Sequence, residues 1–239
     1  MNTFYDFINN NKKNLITKYE IYLDVYDRHL SKYKGKDIKI IEFGVNQGGS
    51  MNMWKEYFGE GSKIYGVDIN PNCAKVAREN IEILIGDQED RDFLKKVADL
   101  IGEVDIIIDD GGHSMRQQKN TFEEIFSCLK DDGVYICEDL HTSYWRRHGG
   151  GYKRRGTFVE YSKNFIDMLN AWNAKKYSRL KVTDFTKTVQ SIHYYDSMIV
   201  LEKGKHDKIK QISTGEMMVE HYKIPKKNIF VRLWRSIFG

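Results

Sequence analysis

The sequence predicts an α/β fold: a doubly wound, mostly parallel sheet with helices on both faces. Short apolar runs alternate with segments whose apolar residues recur at helical spacing, which is the pattern of buried parallel strands joined by helices. A second observation comes from residues 191–204, which predict two strands around a tight turn at Tyr195 and Asp196. This hairpin would add an antiparallel strand to the sheet.

The apolar runs have the lengths of strands, and the segments between them have the features of helices. In residues 50–59, for example, Met51, Trp54 and Phe58 recur at helical spacing, and Pro71 opens a further helical segment. The strands are predicted at 37–44, 63–68, 81–87, 104–110 and 133–139, and the longer helices at 50–59, 91–101 and 116–130.

Composition favours an ordinary globular protein. Of the 239 residues, 41% are hydrophobic and 30% are charged, and a net charge of +4 is too small to indicate nucleic-acid binding. The N-terminus lacks the apolar core of a signal peptide, and no apolar run approaches the length of a membrane span. Cys73, Cys128 and Cys137 are odd in number and widely spaced, which favours reduced thiols. We therefore expect a cytoplasmic protein without nucleic-acid partners or stable membrane insertion.

The expected organisation is one domain over residues 1–204, which begins with a helical cap over 1–35, followed by an extension over 205–239. The extension is basic, and its segment 224–239 mixes aromatic residues with Lys and Arg. Three interpretations stay open for this segment: an amphipathic helix on its own domain, a contact with another subunit, or a contact with a membrane surface.

Acidic residues follow every predicted parallel strand. They are Glu42, Asp68, Asp87, Asp109 with Asp110, and Glu138 with Asp139. In an open α/β sheet, ligands bind outside the carboxyl ends of the strands, so these acids are expected to face one crevice. A single acid in such a place is often a helix cap or a turn residue, but the repetition over five strands indicates a binding site.

The segment "EFGVNQGGS" (42–50) is a glycine-rich turn between a strand and a helix. Glycine allows the backbone to approach a ligand closely. The spacing is not that of a dinucleotide fingerprint, and no Gly-Lys-Ser/Thr sequence of a P-loop follows. Asp68 can accept hydrogen bonds from both hydroxyls of an adenosine ribose, and Asp87 with Gln88 can reach an adenine edge. An NAD site is therefore an alternative, although the glycine spacing argues against it.

Five segments together resemble one enzyme family: "IEFGVNQGGSMNMWKEYF", "YGVDIN", "GDQED", "IDDGGH" and "YICEDLHTSYW". They resemble the sugar O-methyltransferases that use S-adenosylmethionine, above all the metal-dependent group that acts on macrolide-antibiotic sugars and on capsular or nucleotide-linked sugars. The resemblance covers roughly residues 14 to 203. It implies a class I methyltransferase fold, and the oligomers common among related enzymes lead us to expect a homo-oligomer.

The resemblance also implies where S-adenosylmethionine binds. Its contacts are expected at the glycine-rich turn, at the strand ends and at a segment, 16–26, that resembles one closing over the cofactor. The predicted cofactor-binding residues are Tyr19, Glu42, Gly44, Asn46, Ser50, Asp68, Asp87, Gln88 and Asp109.

A metal site is predicted at Asp110, Glu138 and Asp139, which follow two strands expected to be neighbours. Three hard oxygen ligands without a cysteine suit Mg²⁺, and less well Ca²⁺ or Mn²⁺. The resemblance places the metal on the same three residues. Acids that favour a helix N-terminus are the alternative explanation for Glu138 and Asp139. Because successive strand residues point to opposite sides, Asp109 is expected to face the methionine end of the cofactor instead.

His113 is the predicted general base. It follows Asp110 after two glycines, and histidine titrates near neutral pH, where a sugar hydroxyl has to lose its proton before it attacks a methyl group. The resemblance implies that the histidine of this motif is the general base. Asp110 is predicted to be catalytic as well. His141 is the competing candidate, and it could instead bind substrate or support the metal.

The segment 141–163 is rich in glycine, aromatic and basic residues, and it is predicted to be a mobile lid over the substrate. Cationic side chains there would bind a phosphate group of the substrate, and an aromatic side chain could stack on a ring of the substrate. The residues assigned to substrate binding are His141, Tyr144, Trp145, Arg154 and Arg155. A solvated, flexible loop is the alternative interpretation.

The function predicted from the sequence is therefore Mg²⁺-dependent methylation of a sugar hydroxyl, with a nucleotide-linked heptose for capsular polysaccharide as the expected acceptor. A non-sugar acceptor, such as a phosphoramidate or a small natural product, stays open. So do a metal-dependent hydroxylase, an NAD-dependent oxidoreductase and a binding module without catalysis. The set Asp110, His113, Glu138 and Asp139 argues against the last of these.

Overall fold

The computed structural model describes residues 3–175 and 177–220. The chain divides into two units, Met1–Lys208 and Ile209–Gly239. In the second unit, the described residues 209–220 are exposed and form neither helix nor strand. The segment 224–239, for which the sequence left three interpretations open, lies outside the described residues.

The first unit contains the predicted alternation of strands and helices. The strands are β1 (Lys39–Phe43), β2 (Lys63–Asp68), β3 (Ile81–Ile85), β4 (Val104–Asp109), β5 (Leu129–Cys137), β6 (Val189–Tyr195) and β7 (Met198–Lys203). The helices are α1 (Phe4–Asn10), α2 (Glu20–Leu30), α3 (Gly49–Phe58), α4 (Arg91–Ile101), α5 (Met115–Ile125), α6 (Phe158–Ser162), α7 (Asn164–Leu169) and α8 (Asp184–Thr188).

The strands form one seven-stranded sheet in the order β3-β2-β1-β4-β5-β7-β6. Pairs among β1 to β5 are parallel, and β7 pairs antiparallel with both β5 and β6. The predicted fold class and the predicted antiparallel hairpin are thus confirmed. Phe43 pairs with Asp109, and Asp109 pairs with Cys137, so the carboxyl ends of β1, β4 and β5 are level with one another.

The boundaries differ from the sequence prediction in several places. β5 begins at Leu129 rather than near residue 133, because Leu129 already pairs with Val104 before an irregularity in the register. Helix α5 accordingly ends at Ile125 instead of reaching residue 130. The segment opened by Pro71 is a short 3₁₀ helix, Pro71–Val76, and not a longer α-helix. The hairpin turn lies at Asp196 and Ser197, one residue later than predicted.

The core has two layers, one on each face of the sheet. Alternate strand residues face opposite layers, so Ile40 and Ile106 belong to one cluster while Ile41 and Ile107 belong to the other. Each of these side chains is fully buried, and such burial contributes about 1.5–3 kcal/mol per side chain. This two-sided packing explains why the parallel strands are continuous apolar runs in the sequence.

Two further expectations concern the cysteines and membrane spans. The three cysteines are free thiols, with Cys73 and Cys137 buried and Cys128 half-buried. Among the helices that the structure describes, none has both the length and the apolar character needed to cross a membrane.

Candidate active site

A cavity of about 410 Å³ opens at the carboxyl ends of β1, β2 and β4, where the sequence predicts a ligand. Its walls include the turn after each of these strands. The predicted site residues that line it are Gly44, Asn46, Asp68, Gln88, Asp110, His113 and Asp139. The structure therefore brings residues from three predicted roles, namely cofactor, metal and base, to one cavity.

Gly44 allows the turn after β1, which forms one wall of this cavity, to adopt its conformation. Its φ of +94° lies in the left-handed region, and a Cβ added there would lie 2.0 Å from the carbonyl oxygen of Asp110. The Gly44 amide also donates to the Val67 carbonyl at 2.8 Å. Only glycine allows the turn after β1 to contact the ends of both neighbouring strands, β2 and β4. The turn predicted to bind the cofactor therefore lies directly against the predicted metal ligand Asp110.

Asp68 organises the same turn from the end of β2. Its Oδ2 accepts hydrogen bonds from the amides of Val45 at 2.9 Å and Asn46 at 3.0 Å, and its Oδ1 accepts one from Asn70 at 2.8 Å. Burial raises the pKa of Asp68, but these backbone donors outweigh it and hold the pKa below its usual value. The carboxylate therefore stays ionised at the cavity wall, where it can accept further hydrogen bonds.

Gln88 forms another wall, and Asp109 holds it in place. The Gln88 Nε2 donates to Asp109 Oδ1 at 2.6 Å and to Thr121 Oγ1 at 2.7 Å, while its Oε1 accepts from the Gly112 amide at 3.2 Å. Asp109 is only 1% exposed, and burial raises its pKa to about 7. It thus lies behind Gln88 rather than in the cavity wall.

Several predicted cofactor residues do not line this cavity. Glu42 and Ser50 are buried, and Glu42 accepts a hydrogen bond from Trp54 Nε1 at 2.8 Å. Asp87 is exposed, and its Oδ1 caps the following turn by accepting from the Glu89 amide at 2.8 Å. Cofactor contacts by these residues stay predictions.

A second cavity of about 260 Å³ shares Thr17, Asp110 and Asp139 with the first. Its other walls come from the segment before α2, from α2 itself and from Glu138. Tyr19, predicted from the resemblance to contact the cofactor, lines this second cavity and packs its ring edge-on against His141.

Asp110, His113, Glu138 and Asp139, here called the acid cluster, lie where the two cavities meet. Donor atoms of Asp110, His113 and Asp139 lie within 4.8 Å of one another, as ligands of one metal ion would. His113 Nε2 is 3.4 Å from Asp139 Oδ2 and 3.9 Å from Asp110 Oδ1. Their distances and their oxygen and nitrogen donors suit a divalent cation.

The backbone of the acid cluster adopts an unfavourable conformation at two residues. His113 and Asp139 have φ values of 57° and 56°, in the left-handed region that costs a non-glycine residue about 1–3 kcal/mol. Thr142 Oγ1 contacts both turns, because its single hydroxyl proton is shared between the His113 carbonyl at 3.0 Å and the Asp139 carbonyl at 2.8 Å. Strain of this kind is concentrated at functional sites.

One buried polar atom of the acid cluster, Nδ1 of His113, has no hydrogen-bond partner within the described ranges. Buried polar atoms are usually paired, so such exceptions indicate a place for a ligand. Burial lowers the pKa of His113, although Asp110 and Asp139 oppose this effect. The ring is therefore neutral at neutral pH and able to accept a proton.

Helix α2 holds the acid cluster from the opposite side. Tyr22 donates to Asp139 Oδ1 at 2.8 Å, and Tyr26 donates to Glu138 Oε1. Neither tyrosine is among the residues predicted from the sequence, although their spacing of four residues puts them on one face of a helix. Lys18 is not among them either: its Nζ lies 2.6 Å from Asp110 Oδ2, and no local pattern indicates this contact.

The residues predicted to bind substrate lie in the segment after β5. His141 Nδ1 is 2.9 Å from Ser197 Oγ, and its ring packs against Trp145 with centroids 4.5 Å apart. Tyr144 is about half exposed, and Arg154 and Arg155 are exposed. His141, Trp145 and Tyr19 thus form an aromatic group, while the two arginines do not line either cavity.

A third, open cavity of about 530 Å³ lies between the start of α5 and the same segment. Its basic side chains are Arg116, Lys119, Arg147 and His148. Arg147 stacks over Trp145 at 4.7 Å, and Arg116 pairs with Glu89 at 3.3 Å. Ser114, the residue after His113 in the chain, also lines this cavity, and its basic side chains could bind an anion.

Comparison with known proteins identifies relatives. Residues 41–140 match a family model described as a methyltransferase domain. A mycinamicin VI 2''-O-methyltransferase from Micromonospora griseorubida is 31% identical over 192 residues, which are 76% of this chain and 48% of the relative. A rhamnosyl tetracenomycin-C 2'-O-methyltransferase from Streptomyces olivaceus is 32% identical over 190 residues, covering 76% of this chain and 50% of the relative.

A solved structure gives the same result. The MycE methyltransferase from the mycinamycin biosynthetic pathway, in complex with Mg and SAH, superposes with a TM-score of 0.74 and 29% identity. The match covers 81% of this chain and 52% of MycE. The chain thus spans about half the length of these relatives. The sheet has the class I methyltransferase fold, and by sequence match the segment 41–140 resembles a methyltransferase domain.

Proposed function

We propose that this protein is an O-methyltransferase that uses S-adenosylmethionine and Mg²⁺ to methylate a hydroxyl group of a sugar. The observation that supports this most strongly is the shared cavity, in which the Gly44–Asp68 wall meets Asp110, His113 and Asp139. Methyl transfer requires the methyl donor and the acceptor hydroxyl to be held next to each other in the correct orientation. Here the wall predicted to bind the donor and the acid cluster face the same cavity. The relatives named for sugar O-methylation support the same reaction.

The residues present fit a divalent cation. Asp110 and Asp139 offer carboxylate oxygens at the meeting point of the two cavities, with Glu138 beside them in the second cavity. Among the described residues, Nδ1 of His113 has no hydrogen-bond partner, which supports a ligand-binding role for this group. We assign Asp110, Glu138 and Asp139 as the metal ligands, which are the hard oxygen donors that Mg²⁺ prefers.

When bound, S-adenosylmethionine supplies an electrophilic methyl group, and Mg²⁺ supplies Lewis acidity toward the sugar hydroxyl. His113 accepts the hydroxyl proton at Nε2, the nitrogen that faces Asp139 and Asp110. The two carboxylates then stabilise the protonated ring. Asp68 and the turn at Gly44 position the donor, and the buried Gln88–Asp109 pair keeps the wall beside it rigid.

For the acceptor, the names of the relatives give mycinamicin VI and a rhamnosyl tetracenomycin-C as the compounds that are methylated, which supports a glycosylated natural product. The third cavity supports a finer alternative, a nucleotide-linked sugar such as a heptose, because Arg116, Lys119 and Arg147 can meet a phosphate. We further propose a cytoplasmic homo-oligomer whose catalytic domain is residues 1–204, with 205–239 as an extension.

The proposal is tested with the full chain, S-adenosylmethionine, Mg²⁺ and three acceptor groups: glycosylated macrolides and polyketides, nucleotide-linked sugars, and small non-sugar hydroxyl compounds. Mass spectrometry records which acceptor gains a methyl group. A gain in the first two groups supports sugar methylation and distinguishes the two acceptor classes. Calorimetry with S-adenosylmethionine and with NAD serves as the cofactor test. Heat with NAD and none with S-adenosylmethionine would contradict the proposal.

A further inference from the structure

Lys18 is a buried lysine in the loop between α1 and α2. Its side chain is only 4% exposed. Its Nζ lies 2.6 Å from Asp110 Oδ2, 2.9 Å from Glu138 Oε2 and 3.6 Å from Glu42 Oε1. A buried ammonium group is costly unless it is paired, so these carboxylates determine where it lies.

The oxygens that Lys18 contacts belong to two of the three proposed metal ligands. Asp110 Oδ2 and Glu138 Oε2 are engaged by Nζ at hydrogen-bond distance. Mg²⁺ requires its ligands at about 2.0–2.1 Å with nearly ideal octahedral geometry. An ammonium group and a divalent cation that share these oxygens would be only a few ångströms apart, where like charges repel strongly in a buried site.

We propose that Lys18 is a tethered competitor of the divalent cation: its ammonium group and the cation bind the same carboxylate oxygens of Asp110 and Glu138 in turn. This inference rests on the metal site of the proposed function. It assigns Lys18 as the residue that sets the affinity of the site, since every cation that binds has to displace a charge already paired there.

The surrounding contacts indicate which part moves. On the N-terminal side, Asn14 Nδ2 donates to the Gln47 carbonyl at 2.8 Å, and the Leu15 backbone packs so closely on Gly49 that a Cβ there would meet it at 2.3 Å. The loop backbone is thus fixed against α3, so the long Lys18 side chain is the part that withdraws. Lys18 itself lines the second cavity, so withdrawal of its side chain would change the wall of that cavity.

The experiment measures Mg²⁺ binding to the full chain by calorimetry, for the wild type, Lys18→Met and Lys18→Arg. Methionine keeps an unbranched side chain, one atom shorter than that of lysine, and removes its charge. Lys18→Met is expected to bind Mg²⁺ at least about tenfold more tightly, because the competing charge is gone. Lys18→Arg, which restores the charge, is expected to return toward wild-type affinity. Lys13→Met is the matched control, since Lys13 lies in the same loop but pairs with Glu56 at the surface.

An affinity of Lys18→Met that equals or falls below the wild-type value would overturn the competition. If neither the wild type nor Lys18→Met binds Mg²⁺, the metal site of the proposed function is refuted together with the competition. Failure of the competition alone can therefore be distinguished from failure of the metal site. A second measurement uses only the wild type and avoids any folding defect of the variant. Lysine-specific labelling followed by mass spectrometry should show Lys18 protected without Mg²⁺ and labelled several-fold faster with saturating Mg²⁺. Unchanged protection would refute the inference.

Discussion

Two groups of histidine and carboxylate side chains in this protein resemble each other in residue types and in the spacing of their donor atoms, but they differ in hydrogen bonding and in access to a cavity. One is the acid cluster. The other, here called the edge cluster, is His29, His193 and Glu202, which join α2 to the hairpin of β6 and β7. In the edge cluster, and among Asp110, His113 and Asp139 of the acid cluster, the possible metal-binding atoms lie within 4.8 Å of one another. Residue types and distances alone would therefore predict two metal sites.

Hydrogen bonding separates the two. In the edge cluster, His29 Nδ1 pairs with Glu202 Oε1 at 2.8 Å and Nε2 with Tyr195 OH at 2.8 Å, so both ring nitrogens are satisfied. In the acid cluster, Nδ1 of His113 has no partner within the part of the chain that the structure describes. His113 also has a strained backbone and lines a cavity. Unsatisfied atoms, strain and a cavity together distinguish a binding site from a structural network.

The sharpest contrast is expected in turnover. His113→Ala should lower the rate of methyl transfer by about 10²–10⁴-fold, because it removes the proposed general base. Binding of S-adenosylmethionine should persist, since Gly44 and Asp68 form that wall. The matched variant is His193→Ala, which removes a histidine of the edge cluster and should leave turnover close to wild type. Rates with any acceptor found in the screen give the comparison. Equal turnover of His113→Ala and wild type would remove His113 from the mechanism.

Two glycines with left-handed backbones provide the next comparison. Gly44→Ala places a Cβ 2.0 Å from the Asp110 carbonyl, whereas a Cβ at Gly35 has nothing within 4 Å. Both variants pay the cost of a positive φ, about 1–2 kcal/mol. Only Gly44→Ala also forces β1 and β4 apart, so it should unfold at a clearly lower denaturant concentration and bind S-adenosylmethionine more weakly. Equal destabilisation of the two variants would show that the contact with Asp110 does not matter.

His29 of the edge cluster should contribute to the way stability depends on pH. Burial lowers the pKa of His29 from its ordinary value of 6.5, although the hydrogen bond to Glu202 opposes this. Below about pH 6.5 the unfolded chain then binds more protons than the folded one, so the contribution of His29 is present above that pH and is lost as the pH falls. The free energy of unfolding at about pH 7.5 and 5.5 should therefore differ less in His29→Gln than in wild type. An unchanged difference would contradict this role.

The smallest expected effect is that of a single hydroxyl group. Tyr195→Phe removes the partner of His29 Nε2 and should lower stability by about 1 kcal/mol, with no change in Mg²⁺ binding. Tyr152→Phe is the control, because Tyr152 is 79% exposed and should be neutral. Thermal denaturation of both variants checks this. A loss of Mg²⁺ binding in Tyr195→Phe would mean that the edge cluster is coupled to the site.

The sequence predicted the sheet class and the acids at the strand ends because both depend on local periodicity and on the general geometry of parallel sheets. It placed Asp68, Asp110 and His113 at one cavity, as the structure does. It did not predict that Asp109 is buried behind Gln88, nor that Lys18 reaches Asp110 from 92 residues away along the chain. Such contacts depend on how a loop packs on the finished sheet, and no short-range pattern records that.

The boundaries of β5 show the same limitation. The sequence signals for the strand begin near Gly133, but pairing with β4 extends it back to Leu129 through polar residues. The edge cluster is a further case. Its three residues come from α2, β6 and β7, and only the antiparallel pairing of His193 and its neighbours with β7 brings them together.

Binding of Mn²⁺, followed by electron paramagnetic resonance of the free ion, is the most direct test of the central claim that the acid cluster and not the edge cluster holds a divalent cation. The wild type should bind one ion per chain. Asp139→Asn should lose this binding, since Asp139 is a proposed ligand, while His193→Gln should keep it. Binding that survives in Asp139→Asn and disappears in His193→Gln would place the ion in the edge cluster and contradict the account.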